Sequence, residues 1–160
     1  MFTECRGAIK GCLEEVVGKN AYVSLKKLRL AGESKVIAVL FEEDELEKDG
    51  SKRIYTADTG RHKRRKKYGR QMTFNVVIGD YSIGDVEETF DKFLRCLPSG
   101  LYVDGNYVSI EARSADWLDE EDSILRAKCA VQIKVVCDGG IYVDTDYKAI
   151  SDVNITAEKE

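Results

Sequence analysis

The sequence predicts an α+β domain with a mainly antiparallel sheet, helices packed on one face and a long protruding β-hairpin arm. Three observations lead to this fold class. Residues 127–137, AKCAVQIKVVC, alternate in polarity at period two, as a long half-buried strand does. Residues 3–17 and 85–97 instead repeat apolar side chains at helical spacing. Between residues 41 and 73 the chain is mostly polar, and a structureless loop of that length is uncommon inside a compact domain.

The first 43 residues predict one helix followed by strands. In residues 3–17 apolar residues recur three and four positions apart, Thr3 is placed to cap the start, and Gly18 ends the helix. Residues 22–30 are compatible with a strand. Residues 35–43 hold a nearly continuous apolar run, which predicts a strand buried on both faces.

Residues 42–71 predict the arm. Its two legs would extend the strands predicted at 36–41 and 72–78, with the tip near Gly60. The first leg is acidic over residues 42–47 and the second leg is basic. Pairing of the legs would set opposite charges side by side, which is a mildly favourable arrangement.

The next segment predicts a helix and a hairpin. Asp85 and Glu88 form a capping-box pattern at the start of the helix over 85–97, and Pro98 stops it. An Asp-Gly-Asn turn at 104–106 joins two short strands with a core-facing alternation.

The last part of the chain predicts the long strand at 127–137, a bend at glycines 139–140 and one more short strand at 141–143. We expect residues 1–150 to form a single domain. Residues 151–160 are polar and predict a frayed C-terminal tail.

Composition predicts a soluble, intracellular protein. The 160 residues are 43% hydrophobic and 34% charged, enough to bury a core without disulfides. The five cysteines are odd in number and lack CxxC spacing, which favours free thiols in a reducing compartment. The N-terminus lacks the apolar core of a signal peptide, and no segment approaches the roughly 20 apolar residues of a membrane helix.

Charge segregation marks the candidate contact segments. The net charge of −4 is the sum of a basic run at 61–70 and acidic segments elsewhere, including the link SADWLDEEDS around the single tryptophan. Such blocks steer association with partners of opposite sign. The predicted protein-contact residues are Arg61, Lys63, Arg64, Arg65, Lys66, Lys67 and Arg70 in the arm, and Asp116, Trp117, Asp119, Glu120, Glu121 and Asp122 in the link.

Catalytic and metal chemistry have little support in the sequence. The one histidine, His62, lies inside the basic run without an orienting partner, as a general base would need. The acidic link lacks the ligand spacing and glycine of a calcium loop. We therefore predict no enzyme activity, no cofactor and no metal site.

Three interpretations of the basic run stay open. It is a solvated tip, a docking site for an acidic protein surface, or a contact with DNA or RNA. Six cationic side chains in the seven positions 61–67 would neutralise several phosphates and make nucleic-acid binding strongly salt-dependent. Against that alternative, the rest of the chain is acidic, and neither a recognition helix nor a stacking platform is evident in the sequence.

The order of these elements resembles that of the tail terminator, or tail completion, proteins of tailed bacteriophages and phage-tail-like contractile particles. The resemblance covers about residues 36–147: a strand into the arm, a returning strand ending NVVIGD, the helix DVEETFDKFLRCLP, a hairpin, the link SADWLDEEDS and the strand RAKCAVQIKVVCDGGIY. Residues 116–142 are its most recognisable part.

This resemblance implies a structural role without catalysis. Proteins of that family form a ring, typically a hexamer, that caps the head-proximal end of the tail tube, ends elongation and joins the neck or sheath. The implied partners are other copies of the chain, the tail tube protein, and sheath or head-neck proteins, with no membrane. The implied location is the virion or tail-like particle, and the host cytoplasm during assembly.

Overall fold

The computed structural model describes residues 1–31, 33, 35–57, 60–118 and 129–146. Within those residues three helices and a six-stranded antiparallel sheet confirm the α+β class. The helices are α1 (Phe2–Val17), α2 (Leu25–Leu30) and α3 (Ile83–Cys96). The strands are β1 (Val36–Lys48), β2 (Lys52–Ala57), β3 (Gly60–Asp80), β4 (Gly100–Val103), β5 (Asn106–Leu118) and β6 (Cys129–Asp146).

The sheet is built around two long central strands. Its order is β1-β3-β6-β5-β4, and β2 pairs separately with the beginning of β3. The 21 residues of β3 extend roughly 65–70 Å at the usual rise per residue. Strand β6 pairs with β3 from Asp80 opposite Cys129 to His62 opposite Asp146. The two strands therefore form one continuous ladder from the core to the far end of the molecule.

The main core lies between one face of the sheet and the helices α1 and α3. Alternate residues of β3 and β6, among them Phe74 and Ile133, meet Ile9 and Leu13 of α1 and Phe93 of α3, and all five side chains are almost fully buried. This confirms the period-two and helical patterns of the sequence. A smaller cluster under α2 covers part of the opposite face.

The helix boundaries differ slightly from those predicted. Thr3 lies inside α1, whose N-cap is Met1, whereas Gly18 ends the helix in the left-handed conformation with φ of 71° as expected. Helix α3 begins two residues before Asp85, and its N-cap is Ser82. The predicted capping box is therefore wrong, because Asp85 is the third residue of the helix and not its cap.

The strand expected at 22–30 is also wrong. Tyr22 makes one isolated parallel bridge to Ala38, and residues 25–30 form α2. Leu28 is buried by this turn of helix against Ala38 and Val77, while the polar residues around it remain exposed. Burial of one side chain per turn suits a short helix better than a strand.

The arm is present, but it is built from parts of four strands, β1, β2, β3 and β6, and not from two legs alone. Beyond the helices, β1 continues through residues 42–48 and pairs with residues 68–73 of β3. The basic run at 61–67 is flanked instead by β2 on one side and by residues 141–146 of β6 on the other. The acidic leg does lie beside the basic leg over residues 68–73, where Asp44 forms an ion pair with Arg70. Its expected pairing with residues 61–67 is wrong, because β2 forms the hairpin with that part of the run.

Strand β6 runs straight through Gly139 and Gly140, so the predicted bend and separate short strand are wrong. The irregularity lies across from them, where Lys67 is an extra residue between the pairs formed by Lys66 and Tyr68. A Cβ atom at Gly140 would lie 2.5 Å from Lys66 Cε and 2.9 Å from the Tyr68 carbonyl oxygen. The glycine lets β6 approach the bulged strand closely.

The hairpin at 104–106 is confirmed. Asp104 and Gly105 have φ values of 49° and 73°, as the two central residues of a type I′ turn require. Strand β5 continues further than predicted, because residues 114–118 pair with β6 and are not a link. The rest of the predicted link, the start of the predicted long strand at 127–128 and the tail at 151–160 lie outside the described residues.

Gly140→Ala is expected to lower the free energy of unfolding by about 1–3 kcal/mol, the usual cost of a close contact in a packed site. The Tyr68 carbonyl cannot retreat without disturbing the β3–β6 ladder. Gly11→Ala is the matched control: Gly11 is exposed in α1 with open space around it, and the change should stabilise by up to about 1 kcal/mol. Urea unfolding measures the free energy of unfolding of both variants. A Gly140→Ala protein as stable as the parent would contradict this account.

Candidate functional site

The candidate site is the arm, meaning β2 together with residues 42–48 of β1, 60–71 of β3 and 139–146 of β6. Its strands pair fully with one another but extend beyond α1 and α3. Side chains there alternate between two faces, as in any strand. One face continues the side of the sheet that α1 covers, and the other continues the open side.

Strand alternation divides the basic run between the two faces. Arg64 pairs opposite Asp144, and Lys66 opposite Tyr142, on the open face. Arg65 pairs opposite Val143, on the α1 side. The seven basic residues grouped by the sequence are therefore not one surface.

Arg64 is held by the most extensive set of contacts in the arm. Its Nε and Nη2 donate to the two carboxylate oxygens of Asp144 at 2.7 and 2.6 Å, and its Nη1 donates to Asn106 Oδ1 at 2.9 Å. Its guanidinium also lies 5.1 Å from the centre of the Tyr55 ring. The bond to Asp144 raises the pKa of Arg64, and the same bond lowers the pKa of Asp144.

Two further cations of the arm are neutralised within the chain. Arg70 Nε donates to Asp44 Oδ1 at 2.9 Å, and this bond raises the pKa of Arg70. Lys66 Nζ lies 3.6 Å from Asp49. The pKa of Asp49 is lowered, chiefly by the backbone N–H of Ser51. These pairs join neighbouring strands and leave less free charge than the sequence suggests.

The α1 side of the arm exposes a strip of apolar side chains that sequence reasoning missed. Tyr68 and Ile141 are direct cross-strand partners, and Val143 follows Ile141 on the same face. Leu46 of β1 and Ile54 of β2 point to the same face from the other edge of β3, across that strand from β6. All five are 40–57% exposed, and Arg65 and Lys63 lie among them. We call this set the apolar strip.

The second predicted contact segment is only partly described. Asp116 is exposed on β5, opposite Gln132. Trp117 packs edge-on against Phe90 of α3, with ring centres 5.3 Å apart, and remains 42% exposed. Asp119, Glu120, Glu121 and Asp122 lie outside the described residues. Asp116 and Trp117 lie at the opposite end of the sheet from the arm, so the structure does not bring these two residues together with the basic run.

The remaining basic residues have varied surroundings. Arg65 and Lys67 are exposed, and Lys67 occupies the bulge. Arg61 is exposed next to the hairpin turn. The backbone carbonyl of Lys63 accepts a hydrogen bond from the Thr145 hydroxyl at 3.3 Å.

Nothing in the described part of the chain gathers groups for metal binding, since no three His, Cys, Asp or Glu side chains cluster there. His62 lies against Tyr55, with ring centres 5.5 Å apart. All five cysteines are free thiols, and Cys5, Cys12 and Cys137 are buried in the main core. Among the described helices, none combines the length and apolar character needed to cross a membrane.

No protein-family model matches the sequence, and no curated protein is significantly similar to it.

Arg64→Ala is expected to loosen the arm without affecting the core. Amide hydrogen exchange at residues 52–57 and 141–145 should become about two- to fivefold faster, as loss of a surface ion pair worth up to about 1 kcal/mol implies. Arg65→Ala is the matched control, because Arg65 is the exposed neighbour on the other face. Equal exchange in the two variants would contradict the clamp role of Arg64.

The carboxyl group of Asp144 is expected to titrate below its ordinary pKa of 3.8. Because its pKa is lower in the folded than in the unfolded chain, the Arg64 pair stabilises the arm at neutral pH. That contribution is lost as the pH falls through the lowered value. A carboxyl-detected NMR titration measures the midpoint, and Arg64→Gln should return it towards 3.8. An ordinary midpoint in the parent protein would contradict this.

Proposed function

We propose that this chain is a structural subunit that forms a ring, a hexamer, at the head-proximal end of a phage-type tail tube. There it ends tube elongation and joins the neck or sheath, as its resemblance to tail terminator proteins implies. The observation that carries the proposal is the apolar strip on the arm. It is a surface suited to covering by another protein on an element that contributes nothing to the monomer's main core.

The apolar strip has the composition of an interface. Contiguous exposed apolar side chains mark contact surfaces more often than they occur by chance on a monomer. Interfaces are enriched in Tyr and Arg, and here Tyr68 and Arg65 lie beside Ile141 and Val143. In the arm β1, β2 and residues 139–146 of β6 each pair with β3 along one edge. A partner would therefore meet strands that already belong to a sheet, which lowers the entropy lost on binding.

The arm carries exposed charges of both signs: the cations Arg65 and Lys67, and the acids Glu43, Glu45 and Glu47 of β1. The cations of the arm can attract acids at the other end of the sheet in a head-to-tail contact. The opposite end carries exposed acids, Asp116 on β5 and Glu87 with Asp91 on α3. Contact between unlike ends of neighbouring copies is heterologous, and such contacts close into rings when the rotation permits. Opposite charges also speed and orient the encounter.

Removing the centre of the apolar strip is expected to prevent self-association. Ile141→Ser with Val143→Ser replaces two exposed side chains whose backbone pairing is unaffected by the change. Analytical ultracentrifugation should show a particle of six 18.0 kDa chains for the parent and the single chain for the variant. Circular dichroism should show that the variant keeps its fold.

Leu30→Ser is the matched control, because Leu30 is 78% exposed on α2, away from the arm. It should assemble like the parent. A parent protein that stays a single chain at every concentration, both alone and with tail tubes, would contradict the ring proposal. Normal assembly of the double variant would reject the strip as the contact.

A further inference from the structure

A groove lies on the open side of the arm, on the opposite face from the apolar strip. Its volume is about 730 Å³, within the usual range for ligand sites. Four tyrosines from four different strands line it: Tyr55 of β2, Tyr102 of β4, Tyr107 of β5 and Tyr142 of β6. We call it the tyrosine groove.

The tyrosine rings are held in place by contacts within the chain. Tyr102 and Tyr107 meet edge to face with ring centres 5.4 Å apart, and the Tyr107 hydroxyl donates to the Ser99 carbonyl at 3.1 Å. The Tyr55 hydroxyl donates to Asp144 at 3.1 Å while its ring faces the Arg64 guanidinium. Tyr102 is 76% exposed, so most of its surface is open to a ligand.

The groove is positively charged. Its lining includes Lys52, Arg53, Arg64 and Lys66 and, among the described residues, no carboxylate. Arg64 and Lys66 are paired with acids of the arm. Lys52 and Arg53 are exposed and make no ion pair within the described residues. Arg53 pairs opposite Arg64 on the open face, whereas Lys52 pairs opposite Arg65, which is on the α1 side. Arg53 is therefore the cation available to an anionic ligand beside a row of aromatic rings.

We propose that the tyrosine groove binds single-stranded nucleic acid. Its bases stack on the exposed rings of Tyr102 and Tyr107, and its phosphates lie beside Arg53. Base–aromatic stacking next to a cationic track is the common means by which proteins hold single strands without sequence preference. In a duplex the bases are already stacked on one another, so they would not stack on the tyrosine rings. An acidic peptide would engage the cations only.

This inference goes beyond the proposed ring function and does not rest on it. The sequence showed no stacking platform because the four tyrosines are scattered between residues 55 and 142. Antiparallel pairing of their strands places the four tyrosine side chains on the same face of the sheet. The groove takes Arg64 and Lys66 from the basic run, but both are paired with acids, and its available cation, Arg53, precedes that run.

Fluorescence anisotropy with a labelled oligothymidylate tests the proposal. The parent protein should bind the single strand, and bind it more tightly than the same strand annealed to its complement. Tyr102→Ala should weaken binding about 5- to 100-fold, the range for losing one stacked base. Tyr81→Ala is the matched control, a 63% exposed tyrosine after β3 at the other end of the sheet, and should bind like the parent.

The cation has a separate signature. Arg53→Gln should lower the slope of log affinity against log salt by about 0.7, corresponding to one phosphate contact on a single strand. The double variant Ile141→Ser with Val143→Ser should bind the oligonucleotide like the parent, because those side chains face away from the groove. Failure of assembly and failure of nucleic-acid binding are thus distinguishable.

Four results would overturn the inference. They are the absence of binding by the parent, equal binding of Tyr102→Ala and parent, equal affinity for the duplex, and displacement of the oligothymidylate by polyglutamate as effectively as by unlabelled strand. The last result would identify the groove as a site for an acidic protein surface.

Discussion

The long antiparallel pairing between β3 and β6 is the constraint on which the rest of the structure depends. It begins under α1 and α3, where Phe74 and Ile133 are buried in the core, and continues, with one bulge at Lys67, to the end of the arm. The buried half has hydrophobic burial to stabilise it. The arm half has little hydrophobic burial. Its backbone hydrogen bonds continue a ladder whose register is set by the core. Gly140 and the bulge at Lys67 lie where the buried half of the ladder meets the arm half, and the glycine lets the two strands stay paired there.

Alternation along the same two strands decides what the arm presents to its surroundings. Arg64 is turned towards Asp144 and Tyr55, and its neighbour Arg65 towards Val143. A run of cations that reads as a single charge block is thereby divided into a structural half, held by ion pairs, and an exposed half. Surface ion pairs add little stability individually. Their effect here is on geometry, because they orient the strands and the tyrosine rings beside them.

The apolar strip and part of the tyrosine groove occupy opposite faces of the arm, and Tyr102 and Tyr107 complete the groove from β4 and β5. This arrangement would allow the proposed partners to bind on separate faces. A copy of the chain would cover the strip through apolar contact, with charge steering between unlike ends. A single strand would occupy the groove through stacking and phosphate contacts. The two surfaces share backbone but no side chain, since Ile141 and Val143 alternate with Tyr142 along β6. Occupation of one face therefore leaves the side chains of the other in place, and both are rigid before binding.

The sequence by itself determined the class of fold, the core-facing residues of the long strands, the end of α1 at Gly18, the type I′ hairpin at Asp104 and Gly105, and the existence of an arm. Each of these follows from side-chain periodicity or from the backbone freedom of a few residues, which are local properties. Only the tertiary structure decided that β2 and β6, and not the acidic leg, flank the basic run, and that residues 25–30 form a helix. It alone distinguished Arg64 from Arg65, exposed the apolar strip and gathered Tyr55, Tyr102, Tyr107 and Tyr142 into one groove. Strand register and sheet order bring together residues that are far apart in the chain. The spacing of residues along the sequence does not show which of these distant residues become neighbours.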